Sequence, residues 1–110
     1  MEIDYAPEFK RTIKKLSRHY RSIRDDLEPL ITSLKMGELL GDPLQNISYS
    51  AFKVRIKNSD NKKGKSGGYR VIYYLKTPEK TVLLTIYSKS HQSDVDDGEV
   101  RRIIDKYEDA

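Results

Sequence analysis

Phe52, Val54 and Ile56 alternate strictly with Lys53, Arg55 and Lys57. A period of two sends successive side chains to opposite sides of an extended backbone, so this segment is predicted to be a strand. Its three apolar residues face a core, and its three cations stand on the opposite face about 6–7 Å apart. The chain is therefore committed to a sheet at its centre, and to a positively charged surface on that sheet.

On the N-terminal side the period is helical. Glu2 to Tyr5 reads as a short opening strand, and Pro7 suits the first position of a helix. Phe9, Ile13, Leu16 and Tyr20 then recur at i, i+4, i+7 and i+11, an apolar stripe with Lys and Arg opposite. Ile23, Leu27, Leu30, Ile31 and Leu34 form a second stripe. Pro29 interrupts it, which predicts a kink or a late start. Gly37 closes that helix, and Gly41-Asp42-Pro43 marks a turn. After the cationic strand, Asn58 to Gly68 has turn and linker composition. Tyr69–Leu75 and Thr81–Tyr87 read as strands rich in β-branched and aromatic residues, joined by a turn holding Thr77-Pro78. Asp96 and Glu99 have the spacing of a helix N-terminus, and Val100, Ile103, Ile104 and Tyr107 continue at helical spacing. The order predicts an α+β fold, with two N-terminal helices and a C-terminal helix packed on a mostly antiparallel sheet of about four strands. A chain of 110 residues with no internal repeat fits one domain, 1–110.

The charge is concentrated. Between Phe52 and Lys76, eight Lys and Arg stand against one acid, Asp60, a net +7 in a chain whose total is +4. A solvated edge strand would also carry lysines, which deter edge-to-edge aggregation. Here arginine joins them, further cations follow in the connection, and Arg70 lies on the next strand. Fixed like charges repel one another, and an anionic ligand relieves that repulsion, so the pattern points to a polyanion-binding face. Tyr69, Tyr74 and Tyr87 lie near it in sequence and are candidates to stack on bases.

Other chemistries fit poorly. The chain has no cysteine, and His19 and His91 are too few for a typical histidine-rich metal site. Gly64-Lys65-Ser66 resembles the tail of a phosphate-binding loop, but Ser59 stands where that signature needs glycine and a strand follows instead of a helix. Ser88, Ser90, His91 and Asp94 lack the strand-to-helix elbow that exposes a nucleophilic serine. No apolar run is long enough to span a membrane, and the first residues lack the pattern of a secretory signal. The expectation is a cytoplasmic protein without a cofactor.

The string Gly64-Lys65-Ser66-Gly67-Gly68-Tyr69-Arg70-Val71-Ile72-Tyr73-Tyr74, followed by Leu83-Leu84-Thr85-Ile86-Tyr87-Ser88-Lys89-Ser90, resembles the RelE/HigB branch of the RelE/ParE toxin superfamily. The early helix pair, the Gly41-Asp42-Pro43-Leu44 turn and the basic strand fall in that family's order. The resemblance implies the toxin of a type II toxin–antitoxin pair, with a RelE-like fold. RelE and HigB members enter the ribosomal A site and cleave mRNA there, and an acidic cognate antitoxin masks the basic face. Basic residues on the family's second strand match Lys53 and Arg55, and an arginine after the Gly-Tyr pair matches Arg70. RelE has an arginine where this chain has Ser90, and a tyrosine roughly where Asp96 stands.

The resemblance thus implies a metal-independent endoribonuclease with Arg70, Lys53, Arg55, Lys89 and His91 as catalytic candidates. His91 enters because an imidazole titrates near neutrality. Lys57, Lys62, Lys63, Lys65 and Tyr87 are the candidate RNA-binding residues. Two further functions stay open: a non-cleaving inhibitor of DNA gyrase, as in the ParE branch, and an RNA-binding module without turnover. The expected partners are the antitoxin, the ribosome and mRNA, with no membrane and no small-molecule cofactor.

Overall fold

The computed structural model describes residues 1–61, 67–90, 92 and 94–109. In chain order its elements are β1 (Glu2–Tyr5), α1 (Pro7–Ser17), α2 (Ile23–Lys35), β2 (Asp42–Pro43), β3 (Ala51–Ile56), β4 (Tyr69–Thr77), β5 (Lys80–Ser88) and α3 (Asp97–Glu108). The strands form one sheet in the order β1-β5-β4-β3-β2. All neighbours are antiparallel except β1 and β5. The α+β class and the helix placement match the sequence expectation. The sheet has one strand more than expected, the two-residue β2 at its edge.

Alternation along the strands sorts the apolar residues into two cores. Phe52, Val54 and Ile56 of β3 and Tyr69, Val71 and Tyr73 of β4 pack against Phe9 of α1 and Leu27, Leu30, Ile31 and Leu34 of α2. The opposite face carries Ala51, Ile72, Tyr74, Val82 and Leu84, which pack against Val100 and Ile104 of α3. Each such Leu, Ile or Phe stabilises the fold by about 1.5–3 kcal/mol when it leaves water. The sheet is thus covered by two helices on one face and by one helix on the other.

α1 ends at Ser17, so Tyr20 lies past it. It still continues the stripe, meeting Tyr69 edge-on with ring centroids 5.7 Å apart. α2 begins at Ile23 and runs through Pro29 without a late start. Pro29 and Asp25 are both exposed. The proline thus lies on the solvent side of the helix, where water can satisfy the Asp25 carbonyl that loses its donor. α3 starts as its sequence suggests, with the Asp96 side chain accepting a 2.8 Å bond from the Glu99 amide. No helix among the described residues is long and apolar enough to cross a membrane.

Two local devices fix β3, the strand of interest. Gly41 has φ +92, and a Cβ there would collide with the Lys53 carbonyl. Only glycine lets the chain pass this close and then pair Asp42 with Lys53. At the other end Asp26 accepts bonds from the amide (2.8 Å) and hydroxyl (3.0 Å) of Ser59. Asp60 accepts from the amide (2.7 Å) and hydroxyl (3.1 Å) of Ser22. These two carboxylates tie the exit of β3 to the start of α2.

Candidate nucleic-acid interface

On the face shared with α3, the sheet register lines up a row across three strands. Arg55 pairs with Arg70, and Arg70 pairs with Tyr87. Lys53, two residues from Arg55, points to the same side and pairs with Ile72. Val100 and Ile104 cover the end of this face that holds Ile72, Tyr74, Val82 and Leu84. The row of cations lies at the other end.

Arg70 is only 6% exposed. The charge pattern suggested a surface cation; burial follows from β4 being the central strand, flanked by β5 and β3. Among the described residues its guanidinium makes one long bond, 3.4 Å from Nη1 to the carbonyl of Tyr69. Among the described residues no carboxylate lies within 4 Å of it. A like charge, Arg55, stands directly opposite. Like charges in that relation destabilise a sheet, and a nearly buried cation without a counter-ion costs more. An anion seated between the strands would relieve that arrangement.

An acid does reach this surface, although not Arg70. One oxygen of Asp94, Oδ1, lies 3.2 Å from Lys89 Nζ, 3.9 Å from Lys53 Nζ and 3.2 Å from the Tyr87 hydroxyl, which donates to it. The bond from Lys89 holds the Asp94 carboxyl below its ordinary range, with Lys53 and Tyr87 adding to it. Burial pushes the Tyr87 phenol up to about 12, reinforced by the Asp94 charge and opposed by a backbone bond at Val95. At neutral pH Asp94 is a carboxylate and Tyr87 a neutral donor.

The other expected residues divide. Lys53 is half-buried and Arg55 exposed, both on the expected face of β3. β3 ends at Ile56, so Lys57 lies just past the strand and is exposed. Lys89 directly follows β5, where its amide bonds to the Gly68 carbonyl at 3.2 Å. Lys62, Lys63, Lys65 and His91 lie outside the described residues. Tyr69, Tyr74 and Tyr87 are 0%, 1% and 3% exposed, so none offers a ring face for stacking. Tyr87 instead presents its hydroxyl.

Ser90, at the position where RelE carries arginine, has a structural place. Its hydroxyl accepts from Asn61 Nδ2 at 3.1 Å and donates to the Gly67 carbonyl at 3.4 Å, tying the end of β5 to the start of β4. Asp94 was weighed in the sequence only as part of a serine–histidine cluster. Its true neighbours come from two separate stretches of chain, β3 and the end of β5, and the one local signal was an acid shortly after Lys89.

Comparison with known families gives one match. The family model for the RelE toxin of RelE / RelB toxin-antitoxin system matches residues 44–107, more than half of the chain and every part of the cationic row. No curated protein matches the sequence.

Proposed function

This chain belongs to the RelE toxin family, and on that premise we propose that it is a ribosome-dependent endoribonuclease that cleaves mRNA and so inhibits translation. A cognate antitoxin follows from the family. That it is acidic where it covers the cationic row, that the toxin works in the cytoplasm, and that residues 1–110 act as one toxin domain belong to the same reading.

The observation that carries it is Arg70: nearly buried, without a counter-ion among the described residues, and flanked by Arg55 and Tyr87. In the proposed reaction the ribose 2′ oxygen forms a bond to the adjacent phosphorus while the bond from phosphorus to the 5′ oxygen breaks. The 2′ proton passes to a base, and the leaving 5′ oxygen takes up a proton. The Arg70 guanidinium meets the phosphate through its planar fork and neutralises the charge that grows there. Lys53 and Arg55 hold the strand and favour the ionised 2′ oxygen, and Lys89 adds a further cation. Tyr87, a neutral phenol with its pKa at about 12, serves as a donor and not as a base. His91 is the candidate proton carrier, since an imidazole exchanges protons near neutrality. Lys57, Lys62, Lys63 and Lys65 remain the candidate cations for neutralising further backbone phosphates.

Inducing the protein and mapping mRNA ends alongside plasmid supercoiling tests this. Cleavage in phase with codons supports it. Relaxed or linearised plasmid with intact mRNA would mean gyrase inhibition instead, and neither change would leave an RNA-binding module.

A further inference from the structure

Three donors on two different strand regions converge on one oxygen. Lys53 comes from β3, Tyr87 from β5 and Lys89 from the residue after it. All three point at Asp94 Oδ1, at 3.9, 3.2 and 3.2 Å. Two ammonium groups and a phenol hydroxyl make a site for an atom that only accepts hydrogen bonds and carries negative charge. A phosphoryl oxygen has both properties. Asp94 belongs to the connection between β5 and α3, not to the sheet, and its side chain is 52% exposed. Ion pairs this exposed are weak, so the carboxylate can leave while Lys53 and Tyr87 stay on their strands and Lys89 stays beside β5, held by its amide bond to the Gly68 carbonyl.

We propose that Asp94 Oδ1 occupies, in the free protein, the place that a phosphoryl oxygen of a bound nucleic-acid strand takes, which makes Lys53, Lys89 and Tyr87 one phosphate-oxygen subsite beside Arg70. This rests on the reading of the face as an RNA site, and it adds which atoms hold the backbone and what closes them. The depressed pKa of Asp94 fits, because the same donors that favour its ionised form would favour a phosphodiester. The free toxin therefore carries an internal competitor for its own ligand. A strand that binds must exchange places with it.

The test is the affinity of the full chain for a short single-stranded RNA bearing 2′-O-methyl groups throughout, which cannot be cleaved by 2′-hydroxyl attack. Asp94→Asn removes the competing charge and keeps the shape. Asp97→Asn makes the same change in net charge three residues on and is the control. Asp94→Asn is expected to bind about three- to tenfold tighter than Asp97→Asn at equal salt. Adding Tyr87→Phe to Asp94→Asn is expected to return most of that gain, since the ligand then loses a donor. Asp94→Ser provides a second uncharged variant, with thermal unfolding confirming that each protein is folded. Binding by Asp94→Asn no tighter than the control would overturn the proposal, as would indifference to Tyr87→Phe. An unreactive ligand separates the two claims. Tighter binding without any mRNA cleavage in cells would leave the subsite standing and remove the nuclease, and cleavage with unchanged binding would do the reverse.

Discussion

Arg55 on β3 and Arg70 on β4 are register partners on the same face of the sheet. Two like charges set opposite each other on adjacent strands cost about 0.2–1 kcal/mol. The second of them is also nearly buried, at 6% exposure. A fold selected for stability alone gains by replacing one of the pair, so their juxtaposition supports the proposal that this face takes an anionic ligand.

Replacing Arg70 by methionine keeps side-chain volume and removes the charge. Arg70→Met should raise stability by about 1 kcal/mol in denaturant unfolding. It should abolish growth inhibition while antitoxin binding persists. A marked loss of stability would assign Arg70 to the scaffold instead.

Lys53 and Arg55 act on the backbone of the nucleic acid in this account. Each, changed to alanine, should weaken RNA binding and lower the slope of log affinity against log salt by about 0.7 per lost phosphate contact. Binding measured across a salt series checks this. An unchanged slope for Arg55→Ala would remove that residue from the interface.

Gly41 and Gly37 both have positive φ, +92 and +87, but differ in surroundings. A Cβ at Gly37 meets nothing within 4 Å, whereas at Gly41 it collides with the Lys53 carbonyl. Gly37→Ala should cost about 1 kcal/mol, the left-handed strain alone. Gly41→Ala should cost clearly more and should also weaken RNA binding, because it shifts the strand that carries Lys53. Equal effects at both positions would contradict the close approach.

Stability should depend on pH at both extremes. Asp4 and Glu108 are held below their ordinary ranges, first by hydrogen bonds from Tyr107 and Tyr74 respectively. Depressed folded values mean that their stabilisation is complete above the unfolded values near 4 and is lost as pH falls through the lower folded ones. Tyr73, Tyr87 and Tyr107 are raised to about 12, each mainly by burial. Their stabilisation is complete below the unfolded value near 10 and is lost as pH climbs from there toward 12. Thermal midpoints should be level from about pH 5 to 9 and fall outside that range. Tyr107→Phe should make the acid fall shallower, since Asp4 then loses its donor.

These contrasts show what a single sequence can reveal. Strict alternation from Phe52 to Ile56 was enough to define β3 and the side on which Lys53 and Arg55 stand. The helical stripes around Phe9, Leu27 and Val100 likewise followed from local periodicity, which needs no knowledge of neighbours. Pairing is different. That Arg70 faces Arg55 depends on the register between two strands joined by a long basic connection, and nothing local fixes it. The burial of Tyr69, Tyr74 and Tyr87 was hidden for the same reason, since it depends on which helix covers which face. Asp94 was the least legible. Two of its partners, Lys53 and Tyr87, sit on β3 and β5, and the connection it shares with Lys89 has no period from which a direction could be read. Asp42 and Pro43 of β2 read as part of a turn because two residues carry no strand pattern; the pairing exists only because Gly41 lets the chain lie against Lys53.

The central claim is most directly tested by mapping mRNA 5′ ends in cells after inducing either the parent chain or Arg70→Met at matched protein levels. New ends in phase with codons for the parent, absent for Arg70→Met, are expected. Identical end patterns from the two proteins, or no new ends from a parent that still arrests growth, would contradict it.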